Sequence, residues 1–288
     1  MRFRPIDTLN GVVLLALAAL TLLHRDMLPG AGALLVRFAL MAAGLFVVRC
    51  LARHEEVRPV AVVREFYPVA FVPLVFESVG PLVPVVNAAR YDAALVAWDR
   101  ALFGADPMTW FTVRPLLTDV LLVAYASYYF LPVILGGFLW ALDRAATRRA
   151  IFVVCFSFYV SYVGYFLVPA RGPRIEFGDP IPLETPASRA VYKSIDFLEG
   201  HKYDAFPSGH TMIAVIVLLL AWKHVRPLFW ALLPAVAGLV VSTVYCRYHY
   251  VVDVIAGLIL AFPSAWAGGR IYGRLSRDGG GEALQLLL

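Results

Sequence analysis

The chain has 288 residues, 61% of them hydrophobic and 16% charged, with a mean hydropathy of +0.75, against roughly 45–50% apolar and about 25% charged for a soluble domain. That balance excludes a soluble globular enzyme and a disordered chain, and neither a Gly-X-Y nor a heptad period runs through the sequence to suggest collagen or a coiled coil. The net charge of +5 fits the short basic loops of a polytopic membrane protein and does not imply nucleic acid as a partner.

Taken in chain order, apolar stretches near the bilayer length of about 20 residues fall at 8–23, 32–50, 60–79, 118–140, 150–168, 208–222, 226–245 and 250–268. The fold expected is therefore all-α, a polytopic membrane helix bundle of eight transmembrane helices. For the first stretch a signal peptide is the alternative, because its uninterrupted run from Val12 to Leu23 is short and Ala31-Gly32-Ala33 resembles a cleavage site. Arg37, Arg64 and Glu65 lie inside the second and third stretches, where a charge needs a partner, a watery cavity or the interface. Between the third and fourth stretches, Tyr91 to Phe103 alternates apolar and charged residues around Trp98, as a helix lying on the membrane surface does. The longest polar segment, 169–207, is the kind of loop that carries function. Residues 279–288 follow a glycine run and look like a frayed tail. Cys50, Cys155 and Cys246 are odd in number and widely separated, which suggests packing residues and neither a disulfide framework nor a zinc site.

Alternating the loops from the N-terminus assigns thirteen of the 25 basic residues to one side, all in short loops or tails: Arg2, Arg4, Arg49, Arg53, Arg58, Arg144, Arg148, Arg149, Lys223, Arg226, Arg270, Arg274 and Arg277. By the positive-inside rule that side is cytoplasmic, so 80–117, 169–207 and 246–249 face outward together. Only three of the basic residues are lysines and alanine is abundant, a composition that points to a GC-rich bacterial source and a bacterial cytoplasmic membrane.

Three segments converge on that outer face, each at a span end: Tyr165 to Arg174, Lys202 to Thr211, and Arg247 to Asp253. A junction of this kind lets water, a headgroup and acyl chains meet one site. In the third segment, His249 and Asp253 are four apart and share one face of a helix beginning near Tyr248. A carboxylate there can hold one imidazole nitrogen and leave the other bare as a nucleophile or base. The alternative is a His–Asp hydrogen bond that merely neutralises two buried polar groups. In the second segment, Pro207-Ser208-Gly209 precedes an apolar run, so Ser208 is placed as a helix cap whose free amides and dipole form an anion site. His210, at the same terminus, fits a general acid for a departing alcohol, or else a simple interfacial histidine. Arg171 and Arg174 can present forked donors to phosphate oxygens, or anchor a helix end to lipid phosphates. Lys202 and Arg247 open the second and third segments and complete the candidate phosphate-binding set.

Pro-Ser-Gly-His-Thr, followed about forty residues later by His-x-x-x-Asp, resembles the type 2 phosphatidic acid phosphatase superfamily. The resemblance covers roughly residues 60–268. It implies a six-helix catalytic core (59–270) preceded by an N-terminal transmembrane pair (1–58) and followed by a polar tail (271–288). It implies that His249 attacks phosphorus and forms a phosphohistidine, that Asp253 orients it, that His210 protonates the leaving group, and that Ser208 and Gly209 help hold the phosphate. Two positions depart from the phosphatase pattern. Its lysine seven residues before an arginine-proline pair is replaced by Gly164 relative to Arg171 and by Leu167 relative to Arg174, which Ile175 follows; its arginine six residues before the nucleophile is Thr243. The Arg-Gly-Pro-Arg and Tyr-His-Tyr-x-x-Asp-Val wording is more similar to the branch of inositol-phosphorylceramide and sphingomyelin synthases, which transfer a phospho-headgroup between lipids. The expectation is an integral membrane lipid phosphatase or phosphotransferase acting on a phospholipid or lipid phosphate, with water or a lipid alcohol as acceptor. No cofactor or metal is expected, since no aspartate-rich motif or Walker loop is present. The competing class is a non-covalent transporter or flippase for an anionic lipid or phosphate, against which stands the lack of an evident internal repeat of interrupted helices.

Overall fold

The computed structural model describes residues 4–178, 181, 183–198, 200 and 202–278. Among these the chain is helical throughout, with no strand: α1 (Pro5–Leu23), α2 (Ala31–Cys50), α3 (Arg58–Phe66), α4 (Pro68–Val79), α5 (Val83–Val86), α6 (Asp92–Phe103), α7 (Pro115–Ala126), α8 (Leu131–Leu142), α9 (Arg144–Leu167), α10 (Pro173–Glu176), α11 (Pro186–Leu198), α12 (Gly209–His224), α13 (Arg226–Tyr245) and α14 (Val251–Asp278).

All eight apolar stretches fold as helix. Among the described residues, six continuous helical segments are long and apolar enough to cross a membrane: Pro5–Leu23, Ala31–His54, Arg58–Val79, Arg144–Leu167, Arg226–Tyr245 and Val251–Ser276. The fourth stretch is a pair, Pro115–Tyr129 and Leu131–Leu142, bent by 50°. Pro132 in the first turn of α8 and the 3-10 turn at Ser127–Tyr129 account for the break. The sixth stretch, α12, is apolar but only 16 residues long. The chain is a multi-pass membrane protein. Its last helix runs on to Asp278, eight residues into the segment assigned as polar tail, and residues 279–288 lie outside the described residues.

The shortness of α12 is explained by its place. Met212, Ile213, Ala214, Ile216 and Val217 are all fully buried, and α12 packs on α13, α14, α9 and α8, as a helix apolar on every face does. Its lipid-facing work is done by neighbours, and Ser208, whose hydroxyl accepts from Thr211 N at 3.3 Å, caps its start.

Two of the charges expected inside spans, Arg64 and Glu65, gather at one end of the bundle, while Arg37 is exposed on α2. Glu65 receives Arg4 at 3.2 Å and Arg148 at 3.4 Å, Arg64 pairs with Glu55, and Tyr67 Oη donates to Asp7 at 2.8 Å. Deeper, Tyr159 Oη donates to the fully buried Asn10 at 2.7 Å, tying α1 to α9. A polar group buried among apolar helices is costly unless bonded, so these pairs define how α1 packs.

Candidate active site

The three sequence segments do meet, at the end of the bundle opposite that ion cluster. The turn after α13 places the histidine. Cys246 ends the helix, Arg247 takes the left-handed conformation with φ 62°, Arg247 N donates to Val244 O at 3.0 Å, and Tyr248 N donates to Thr243 O at 2.9 Å. This is a Schellman closure, and it reverses the chain so that His249 N also donates to Thr243 O, at 3.0 Å. Arg247 thus acts through its backbone, whose carbonyl accepts Arg174 N at 2.8 Å; its side chain is not among those lining the pocket described below. Gly172, at φ +79°, lets the Arg171–Arg174 loop lie on this turn, because the Tyr248 carbonyl fills the place of a Cβ.

His249 is buried, with Nδ1 2.8 Å from Ala205 O and 3.6 Å from Asp253 Oδ2. A carbonyl only accepts, so Nδ1 carries the proton and Nε2 is bare in the neutral ring. The orienting hydrogen bond therefore goes to Ala205, and Asp253 stands behind it as a buried carboxylate in the range of an ion pair. Asp253 Oδ2 also accepts Tyr250 N at 2.9 Å. His249 Nε2 faces His210 Nδ1 at 3.3 Å; with His249 in that tautomer, His210 must carry its proton on Nδ1 and point it at the nucleophile. The His210 ring sits between Tyr125 and Tyr128, with centroids at 4.4 and 4.2 Å.

Two cavities border this histidine pair. A polar pocket of about 10 Å³, room for one water, is lined by Arg171, Arg174, Lys202, Asp204, Tyr248 and His249 among others. Here Arg174 lies over the Tyr248 ring at 4.3 Å, Tyr248 stacks on Tyr125 at 4.1 Å, and Lys202 Nζ donates to Asp196 at 2.7 Å. The Lys202 ammonium holds the Asp196 carboxyl below its ordinary range, although partial burial opposes it. On the other side an apolar cavity of about 170 Å³ ends on His210 and Asp204. Its α9 wall runs from Ala150 to Tyr165, about 22 Å at 1.5 Å per residue. Val69 on α4 and Val133 on α8, both in its lining, are exposed, so the cavity reaches the lipid-facing surface between those helices.

Of the residues singled out in sequence, His249, His210, Asp253, Arg171, Arg174 and Lys202 come together. Ser208 and Gly209 are buried beneath: Ser208 N donates to Asp253 O at 3.0 Å, and neither is in the pocket lining. Sequence reading missed Ala205, Tyr125, Tyr128 and Tyr248, whose types carry no chemical signal. It also missed Asp92 and Asp99, whose spacing was read as an interfacial pattern. Among the described residues, no three His, Cys, Asp or Glu side chains converge as a metal-ligand set.

The family model of the PAP2 superfamily matches residues 93–267, which include the histidine pair, Asp253 and the cations of the polar pocket but not the α4 wall of the apolar cavity. The chain belongs to the PAP2 superfamily. It is 26% identical over 199 residues to the "Phosphoinositol dihydroceramide synthase" of Bacteroides thetaiotaomicron, covering 59% of this chain and 64% of that one. It is also 26% identical over 209 residues to a "PA-phosphatase related-family protein" of Dictyostelium discoideum, covering 60% of this chain and 37% of that one. The chain thus spans less than two thirds of the length of either relative. No solved structure matches it.

Proposed function

We propose that this membrane protein is an enzyme that cleaves a phosphoester of a lipid through a phosphohistidine, passing the phospho-group to water or to a lipid alcohol. One observation carries the reading: the bare Nε2 of His249 and the protonated Nδ1 of His210 face each other at 3.3 Å, where a cation-lined pocket meets an apolar cavity. Lipid chains fit the cavity, and Arg171, Arg174 and Lys202 suit the phosphate oxygens. His249 Nε2 attacks phosphorus, forming a P–N bond as the P–O bond to the lipid alcohol breaks, and His210, entering this step as the imidazolium, passes one proton to the departing oxygen and is left neutral. The acceptor then gives its proton to His210 and attacks phosphorus, and the P–N bond breaks. At 3.3 Å the two ring nitrogens leave no room for a phosphoryl group between them, so substrate binding must part the rings.

Similarity to a phosphoinositol dihydroceramide synthase makes a ceramide-like alcohol the first acceptor to test. The arginine asymmetry supports a site facing outward from a bacterial cytoplasmic membrane. The test is to incubate purified protein with labelled phospholipids and lipid phosphates, with and without ceramide, diacylglycerol or polyprenol. Free phosphate or headgroup phosphate identifies hydrolysis, and a new phospholipid identifies transfer. His249→Ala should abolish both and remove an acid-labile phosphoprotein. Turnover in that variant equal to wild type overturns the covalent route, and lipid movement without product favours the transporter reading.

A further inference from the structure

Asp92 and Asp99 lie on α6 outside both cavity linings, yet both are almost fully buried, at 1% and 3% exposure. Seven residues apart, they stand on one face of the helix, and each carboxylate is spent on backbone amides of the site. Asp92 Oδ1 accepts from Arg171 N at 2.9 Å, Gly172 N at 3.0 Å and Tyr250 Oη at 3.1 Å. Asp99 accepts from Val251 N at 2.9 Å through Oδ2 and from Val252 N at 2.8 Å through Oδ1.

We infer that Asp92 and Asp99 are positioning residues and that α6 is a clamp: Asp92 holds the anion-binding loop at Arg171, and Asp99 holds the start of α14 behind His249. This rests on the proposed phosphoryl transfer. The first amides of any helix have no intrahelical acceptor, and at α14 they emerge in the turn that carries His249. The acid in the first turn of α14, Asp253, turns back to Tyr250 N instead of serving them. Asp99 supplies the acceptors from another helix, which fixes the axis of α14 and with it the offset of Asp253 from His249. Asp92 does the same for the reversal at Arg171-Gly172, and its bond from Tyr250 joins that loop to the nucleophile's turn. The exposed face of α6 presents Trp98 and Leu102, residue types suited to a membrane interface, so two carboxylates link that face to the reacting groups.

The two halves of the clamp separate experimentally. Hydrogen exchange on the full-length protein in detergent should show protection lost at 248–254 in Asp99→Ala and at 169–175 in Asp92→Ala, by about tenfold for the loss of a cap, with the other segment and the rest of the bundle unchanged. In kinetics, Asp99→Ala should lower kcat about tenfold with KM nearly constant, and Asp92→Ala should mainly raise KM, by about fivefold. Asp92→Asn should recover most of the loss, because Oδ1 alone takes three of its bonds, whereas Asp99→Asn should recover part, because the two amides use different oxygens. Exchange raised evenly through the bundle, exchange unchanged in both variants, or an equal fall in kcat at constant KM overturns the clamp. If wild-type protein turns over no lipid, the enzyme reading fails, and the exchange pattern still decides whether α6 holds these segments.

Discussion

At the residue scale the structure holds the two histidines by different partners. His249 is fixed by Ala205 at 2.8 Å, and His210 is held between two tyrosine rings with its Nδ1 toward His249. A group that protonates the departing alcohol matters most when that alcohol is strongly basic, because a good leaving group needs little proton transfer in the transition state. His210→Ala should therefore lose at least about a hundredfold on a lipid phosphate and regain much of that on para-nitrophenyl phosphate. His249→Ala should fail on both. The readout is the ratio of aryl to lipid turnover in wild type and each variant; a ratio unchanged by His210→Ala removes the general-acid role and leaves His210 as a phosphate-binding group. The motif made both histidines legible, together with Asp253 and the arginines, since those residue types at span ends have few other uses. It did not make Ala205 legible, because a backbone carbonyl has no sequence signature. It placed Asp253 directly on the imidazole, where the structure has it 3.6 Å away behind the carbonyl contact.

At the element scale, hydropathy located every apolar stretch, because span length is set by bilayer thickness, but it missed the polar start of α9 at Arg144 and the extension of α14 to Asp278. It said less of the elements between them. The alternation at Tyr91–Phe103 identified α6 as amphipathic, yet a polar stripe reads alike whether it meets water or the amides of a neighbouring loop. The 169–207 segment was read as a loop and contains α11, which hangs over the polar pocket. It is moored to α7 where Thr185 Oγ1 donates to Asp119 at 2.6 Å, and near the pocket where Asp196 meets Lys202 at 2.7 Å and Arg174 at 3.6 Å. Asp196 thus occupies two of the pocket's cations, for which, on the proposed function, it competes with an anionic headgroup. An exposed pair of this kind contributes about 0.2–1 kcal/mol, so Asp196→Asn should lower KM for a lipid phosphate by about two- to fivefold and make α11 easier to cleave with protease. The carboxyl is held below its ordinary 3.8, so the contact is complete above that value and is lost only as pH falls through the lower folded-state value. Wild type and Asp196→Asn should therefore differ at pH 7 and converge in proteolysis only as pH falls below 3.8 and through the lower folded-state value. A higher KM in the variant would show that Asp196 assists substrate binding instead.

At the scale of the whole molecule the decisive property is polarity across the membrane. Counting spans leaves it fragile, since α12 is about 24 Å long at 1.5 Å per residue, short of the roughly 30 Å hydrocarbon core, and one miscounted span inverts everything after it. The tertiary structure removes that dependence. Arg4, Glu55, Arg64, Glu65 and Arg148 meet in one ion cluster, so the N-terminus, the α2–α3 connection and the start of α9 share an end. Tyr91 N donates to Pro169 O at 3.0 Å and Arg174 N to Arg247 O at 2.8 Å, so the 80–117, 169–207 and 246–249 segments share the other. A membrane-impermeant maleimide on bacterial spheroplasts tells which end is outside. In a Cys50→Ser background, where the remaining cysteines Cys155 and Cys246 are buried, a cysteine at the exposed Ser194 on α11 should be labelled without permeabilisation. One at the exposed Ala145, at the start of α9, should react only after it. By the positive-inside rule the ion-cluster end is the one expected inside, which on the proposed function would open the polar pocket to the extracytoplasmic leaflet. Labelling at Ala145 and not at Ser194 would put the histidines on the cytoplasmic side and with them the lipid pool the enzyme can reach.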